Sequence, residues 1–233
     1  MSRVFAGSLF LLVASSSVHA SVLVNEGFNN ISTLAGSGWV MVNNSSPAGS
    51  TGWFQGVPPI FTSQAGAPDS YIAANFNNAA FGGNISNWLI SPVLSLQNNL
   101  QFVFYTRTEA IPVAADSLEL RLSTNGSSTN VGATASSVGD FAALVLTVNP
   151  TLAVNGYPTD WTQFTANFVG LGVPATGRFA FRYDVPDTST NADFIGIDSV
   201  LVSDPVPEPA TLALFAFGLG AVLSRRMRRG YQV

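Results

Sequence analysis

Carboxylates are almost the only reactive groups on the stretch from Ser21 to Ser203. It carries eleven of them: Glu26, Asp69, Glu109, Asp116, Glu119, Asp140, Asp160, Asp184, Asp187, Asp193 and Asp198. Beside them stand four arginines, Arg107, Arg121, Arg178 and Arg182. The whole chain has no cysteine and no lysine, and its one histidine, His19, lies close to the N-terminus. A thiol nucleophile, a thiolate metal site, a disulfide framework and a Schiff-base lysine are therefore excluded. If the segment bearing His19 is removed, imidazole catalysis and imidazole–zinc sites are excluded too. What remains is the carboxylate pair of a glycosidase. Asp116 and Glu119 are three apart and Asp193 and Asp198 five apart, so on strands each pair faces opposite sides. Asp184 and Asp187 flank Pro186 in a loop. These residues predict a protein that is not an enzyme, with a carbohydrate-active enzyme as the distant alternative.

Aromatic side chains are the second chemical resource, because sugars stack on their faces. Trp39, Trp53, Phe54, Tyr71 and Tyr157 are the candidates. Trp53 and Tyr157 sit in turn-rich contexts and are the two assigned to a ligand. Trp88, beside Leu89 and Ile90, is assigned to the core. Four arginines against eleven carboxylates give this stretch a formal charge of −7. An acidic domain with no basic patch argues against nucleic acid.

The elements that must position these groups read as strands. Leu118, Leu120 and Leu122 alternate with Glu119 and Arg121; Leu100, Phe102 and Phe104 alternate likewise, as do Phe179, Phe181 and Tyr183. Asp140 to Val148, Trp161 to Phe168 and Phe194 to Val202 are also strand-like. Asn125-Gly126, Asn155-Gly156, Gly82-Gly83 and Pro186-Asp187 punctuate them as turns. No window shows helical periodicity. The expected fold is all-β, a two-sheet jelly-roll-like sandwich of about 8–12 strands. The expected boundaries are 1–20, 21–203 and 204–233.

The two ends differ in composition from this domain. Arg3, the apolar run Val4–Ala14 and Val18-His19-Ala20 have the layout of a cleavable signal peptide. At the other end Pro207-Glu208-Pro209 precedes the uncharged stretch Ala210–Ser224 and then Arg225, Arg226, Arg228 and Arg229. Fifteen residues of helix cover about 22 Å, short of a hydrocarbon core about 30 Å thick. A short transmembrane helix with a cytoplasmic arginine cluster is the expectation.

This tail closely resembles the PEP-CTERM protein-sorting tail of Gram-negative bacteria that make extracellular polysaccharide. The resemblance implies recognition of Pro207, Glu208 and Pro209 by an exosortase. It also implies export to the cell envelope, outer surface or matrix through a transient inner-membrane stage. The domain itself is similar to choice-of-anchor J domains, relatives of cleaved-adhesin and MAM-like jelly rolls. Val24-Asn25-Glu26-Gly27-Phe28, Gly38-Trp39, Gly52-Trp53, Tyr71-Ile72-Ala73, Asn87-Trp88-Leu89-Ile90-Ser91-Pro92 and Phe194-Ile195-Gly196-Ile197-Asp198 carry that resemblance in order. Related jelly rolls hold a structural calcium near the two chain ends. The resemblance thus points to Glu26 and Asp198, with Asp69, Asn75 and Asn77 as loop oxygens, for the six to eight ligands calcium needs. Together these readings describe an exported adhesion or polysaccharide-interaction module, with a structural surface protein that binds another protein as the alternative.

Overall fold

The computed structural model describes residues 21–97, 99–169 and 171–204. The expected signal peptide, the expected tail helix and the residues of the sorting motif lie outside the described residues. Thirteen strands are present among those described. They are β1 (Ser21–Glu26), β2 (Val40–Asn43), β3 (Ser46–Ala48), β4 (Phe54–Gln55), β5 (Ile72–Asn75), β6 (Ala79–Ile90) and β7 (Leu94–Leu96). After these come β8 (Asn99–Thr108), β9 (Leu118–Ser123), β10 (Ala143–Val148), β11 (Thr162–Val169), β12 (Ala175–Val185) and β13 (Phe194–Asp204). Two short 3-10 turns, Ile31–Ser37 and Phe76–Asn78, are the helical elements described. None of the described helices is long and apolar enough to cross a membrane.

The strands form two antiparallel sheets. The first runs β11-β8-β13-β5-β4, with β1 also paired to β13; the second runs β10-β9-β12-β6-β2, with β3 on β6 and β7 on β12. The sequence alternations supply the layer between them. Leu100, Phe102 and Phe104 of β8 and Ile195 and Ile197 of β13 bury against Leu118, Leu120 and Leu122 of β9 and Phe179 and Phe181 of β12. The Phe104 and Phe181 rings meet edge-on at 4.9 Å, and those of Phe102 and Phe179 at 5.5 Å. Ring pairs of this kind add to the area they bury. The expected two-sheet sandwich is present, with one more strand than the upper end of the expected range.

The outer faces differ. On the second sheet Trp88, Ile90 and Ala180 are covered by Val131 and Phe141 from the connection 124–142. Beside them Arg182 is buried between Glu119 (3.0 Å) and Asp184 (2.9 Å) and lies 5.3 Å over the Trp88 ring. On the first sheet, Phe61 from the connection 56–71 packs with Tyr71, Ala73 and Phe194, and Trp161 closes the cluster. Gly196 is needed beneath these rings, because a Cβ there would stand 2.9 Å from both Phe61 and Tyr71. The remainder of this face stays open.

Candidate functional site

Strand alternation determines what the open face presents. Because Leu100, Phe102, Phe104 and Thr106 of β8 point inward, Gln101, Val103, Tyr105 and Arg107 point outward. The ladders align neighbours beside them in rows. Leu201 of β13 pairs Val103, which pairs Thr165 of β11; Ser203 pairs Gln101, which pairs Asn167; and Tyr105 pairs Gln163. The centre is an apolar stripe, Leu201 and Val103, flanked by amides and hydroxyls. Tyr105 donates its phenolic hydrogen to Gln163 Oε1 at 2.7 Å, and Gln101 donates to Asn167 Oδ1 at 3.4 Å.

Two loops raise a wall beside this floor and make it a groove of about 670 Å³, lined by Asn25, Gly27, Asn29, Ala65 and Gly66 above Val103, Tyr105, Gln163, Ser199 and Leu201. The wall is held by a buried acid. Asp198 Oδ2 accepts the N–H groups of Gln64 (2.9 Å) and Ala65 (3.1 Å), and its Oδ1 accepts that of Ser199 (2.5 Å). Ser199 has φ +51° at an irregularity in the β13–β8 ladder, and its hydroxyl donates to Gln64 Oε1 at 2.7 Å. Burial pushes the Asp198 carboxyl upward, opposed by those three N–H donors. Gly66 has φ +86°, and a Cβ there would stand 3.1 Å from Asn29 Oδ1, so only glycine brings the two walls this close without strain.

None of the lining residues is charged. The ionic groups that border the groove are engaged elsewhere. Arg107 lies 4.5 Å over the Phe61 ring and donates to the carbonyls of Thr159 and Thr108. Glu26 Oε1 accepts the Phe28 N–H at 2.8 Å and steadies a backbone with φ +49°. A smaller cavity of about 230 Å³ lies against the second sheet, beside Ala135, Ser136 and the Arg182–Asp184 pair. Its ionic groups are mutually paired.

The residues assigned to calcium do not assemble as one donor set. Asn75 lies opposite Phe194, four strand positions from Asp198, which is about 13 Å of extended chain. Its Oδ1 accepts the Asn77 N–H and the Thr51 hydroxyl, which ends β5 in a 3-10 turn. Asp198 spends both oxygens on backbone amides, and Asp69 meets its neighbours through its carbonyl oxygen. That carbonyl and the carbonyl of Phe28 converge on Nε2 of Gln55, at 2.6 and 2.9 Å, while Gln55 Oε1 accepts the Ile31 N–H at 2.9 Å. Among the described residues no three carboxylate or imidazole side chains stand together in a way that would hold a metal. The Gln55 amide thus ties the segment after β1 to the loop before β5.

The burial of the two aromatics assigned to a ligand is a correction. Trp53 is 6% exposed and Tyr157 1%, both inside the main core. The Tyr157 hydroxyl shares a 2.6 Å hydrogen bond with Thr106, and burial pushes its phenol well above the usual value. Neither ring has a face open to a sugar. Tyr105 is the aromatic that does line the groove, and the complement of the Leu100–Phe102–Phe104 alternation was the signal for it.

Two comparisons bear on these features. A model of the PEP-CTERM protein-sorting motif matches residues 205–229. No curated protein matches the sequence. Among solved structures, the K3 cleaved adhesin domain of Lys-gingipain from Porphyromonas gingivalis W83 superposes with a TM-score of 0.54 at 19% identity, covering 80% of this chain and 100% of that domain. The K1 domain of the same protein gives 0.52 at 19%, covering 81% and 100%, and the K2 domain 0.52 at 18%, covering 77% and 98%. The likeness at this identity is one of fold.

Proposed function

We propose that this chain is an exported module of the choice-of-anchor J type that binds extracellular polysaccharide through the groove over β13, β8 and β11. The observation that carries the reading is the groove itself: an apolar stripe flanked by hydrogen-bonded amides and one tyrosine, left open on a sheet whose other outer surface is covered. Sugars have the matching construction, with apolar C–H faces and hydroxyl edges. The cleaved-adhesin likeness of the fold supports a surface role without specifying a ligand.

The tail supplies the address. Its match to the sorting motif supports export, insertion in the inner membrane before processing, and recognition by an exosortase. In this reading Pro207 and Pro209 keep the segment extended, which presents Glu208 outside the membrane. The apolar helix holds the chain until it is processed, and the arginines keep the C-terminus cytoplasmic. The domain then works as a non-catalytic binding module in the matrix or at the surface. Of the carboxylates that stand near one another, Asp116 with Asp193 and Glu119 with Asp184 are buried or bound to Arg182, and Glu109 lies near Asp193.

Fractionation of the cells that make the protein tests both halves. The processed chain is expected to co-sediment with extracellular polysaccharide and to be released when the polysaccharide is digested. Processed chain that stays soluble in the presence of intact matrix would overturn the polysaccharide reading.

A further inference from the structure

We infer that the groove selects uncharged polysaccharide and rejects uronate-rich and amine-bearing polymers. The inference rests on the groove being the glycan site. Three observations carry it. The lining contains amide, hydroxyl and aliphatic groups and no ionic side chain. The ionic groups at its border have internal partners: Asp198 three backbone N–H groups, Arg107 the Phe61 ring and two carbonyls, and Glu26, through one oxygen, the Phe28 N–H. The domain around it has four arginines against eleven carboxylates.

Each has a consequence for the ligand. A uronate carboxylate entering the groove would lose water and meet no cation to replace it, the costly case for a buried charge. It would also approach a surface of its own sign. An amine would be attracted at long range but would meet no lining carboxylate. An uncharged chain leaves nothing ionic unpaired. Its C–H faces cover Leu201 and Val103 while its hydroxyls meet Tyr105, Gln163, Asn25 and Asn29. The cross-strand bond from Tyr105 to Gln163 fixes both side chains before any ligand arrives, so little side-chain freedom remains to be lost on binding.

The test is affinity electrophoresis of the full-length protein in mild detergent, through gels containing a neutral β-glucan, a neutral galactomannan, alginate or chitosan. At least one neutral polymer is expected to retard the protein. Its dissociation constant should change less than about twofold between 50 and 500 mM salt, because no ion pair is there to be screened. Tyr105→Ala is expected to weaken that binding about tenfold, which is the loss of one well-packed aromatic contact. Gln163→Ala is a second variant, at an exposed position, that weakens the same binding without touching the core. Retardation by alginate or chitosan and by neither neutral polymer, reversed by Tyr105→Ala, would overturn the selectivity and leave the groove as the site. Retardation by none of the four, or retardation that neither substitution alters, would overturn the selectivity together with the assignment of the groove.

Discussion

Asp198 and Gln64, 134 positions apart, are joined by a 2.9 Å hydrogen bond from the Gln64 N–H to the buried carboxylate. The bond holds the loop wall over the strand floor, so the groove depends on an acid outside its lining. Replacing Asp198 by alanine leaves the N–H groups of Gln64, Ala65 and Ser199 without their acceptor. At about 1–3 kcal/mol for a buried group left unsatisfied, the substitution should cost about 3 kcal/mol in denaturant titration and abolish glycan retention. Asp198→Asn keeps one acceptor and should cost less than half as much. Equal losses from the two variants would contradict this role.

Asp116 sets a pH dependence. It is 1% exposed, with hydrogen bonds from Tyr183 (2.5 Å), Thr108 (2.7 Å) and the Asp193 N–H (2.8 Å). Burial raises its pKa from 3.8 to about 6, partly offset by those donors and reinforced by the Asp193 charge. Between these values the folded chain holds a proton that the unfolded chain has released, so stability falls as pH rises. The contribution is greatest below about pH 4 and is lost by about pH 6, amounting to up to about 3 kcal/mol. Asp116→Asn should flatten the slope of unfolding free energy against pH across that window. A slope identical to that of the parent would show that the carboxyl is ionised throughout.

Glu119 is the central anion of the second sheet's outer face. Arg121 binds it at 2.6 Å and Arg182 at 3.0 Å. Burial alone would raise its carboxyl, but the two guanidinium groups prevail and hold it below the usual range. Removing it leaves Arg121 without its anion and Arg182 with Asp184 alone, and breaking a buried pair from one side costs about 3–5 kcal/mol. Glu119→Ala should lower the denaturant midpoint accordingly and loosen the connection 124–142, which Arg182 and Arg121 also hold through the carbonyls of Ala135 and Phe141. Hydrogen exchange over residues 124–142 reads the second effect. Unchanged protection there would separate the ion pairs from the loop.

Gln55 is the amide that ties the segment after β1 to the loop before β5. Gln55→Ala should destabilise the protein by about 2–3 kcal/mol through unpaired carbonyls and the unpaired Ile31 N–H. Chelation with EDTA should leave the parent melting temperature unchanged if the Gln55 amide is all that joins these segments. A fall of several degrees in EDTA, restored by calcium, would contradict this.

Strands β8 to β13 were legible because their inward residues are large and apolar. Leu100, Phe102 and Phe104 announced β8, and Leu118, Leu120 and Leu122 announced β9. The floor of the groove was legible in the same pattern, as the outward set Gln101, Val103 and Tyr105. Its walls were not. Asp198 meets Gln64 only after β13 pairs with β8 and β5, and the irregularity at Ser199 has no local marker in the sequence. Trp53 and Tyr157 misled for a related reason. A turn-rich neighbourhood describes the backbone and leaves open where a ring points, and both rings turn into the core. The backbone amides that Asp198 accepts from Gln64 and Ala65 come from a distant segment, and the sequence does not show them.

The sorting tail makes an independent prediction. Pro207→Ala combined with Glu208→Ala should leave full-length precursor in the membrane fraction, with the Val22–Pro205 unit and its melting behaviour unaffected. Normal processing of this double variant would contradict recognition through these residues.

The most direct test of the central claim compares the full-length parent and Tyr105→Ala on polysaccharide from the matrix of the cells that produce the protein, once equal melting temperatures have been verified. Saturable binding by the parent, weakened about tenfold or more in the variant, is the predicted result. Equal affinity of the two proteins would contradict the account, because the glycan would then be held somewhere other than the groove over β13, β8 and β11.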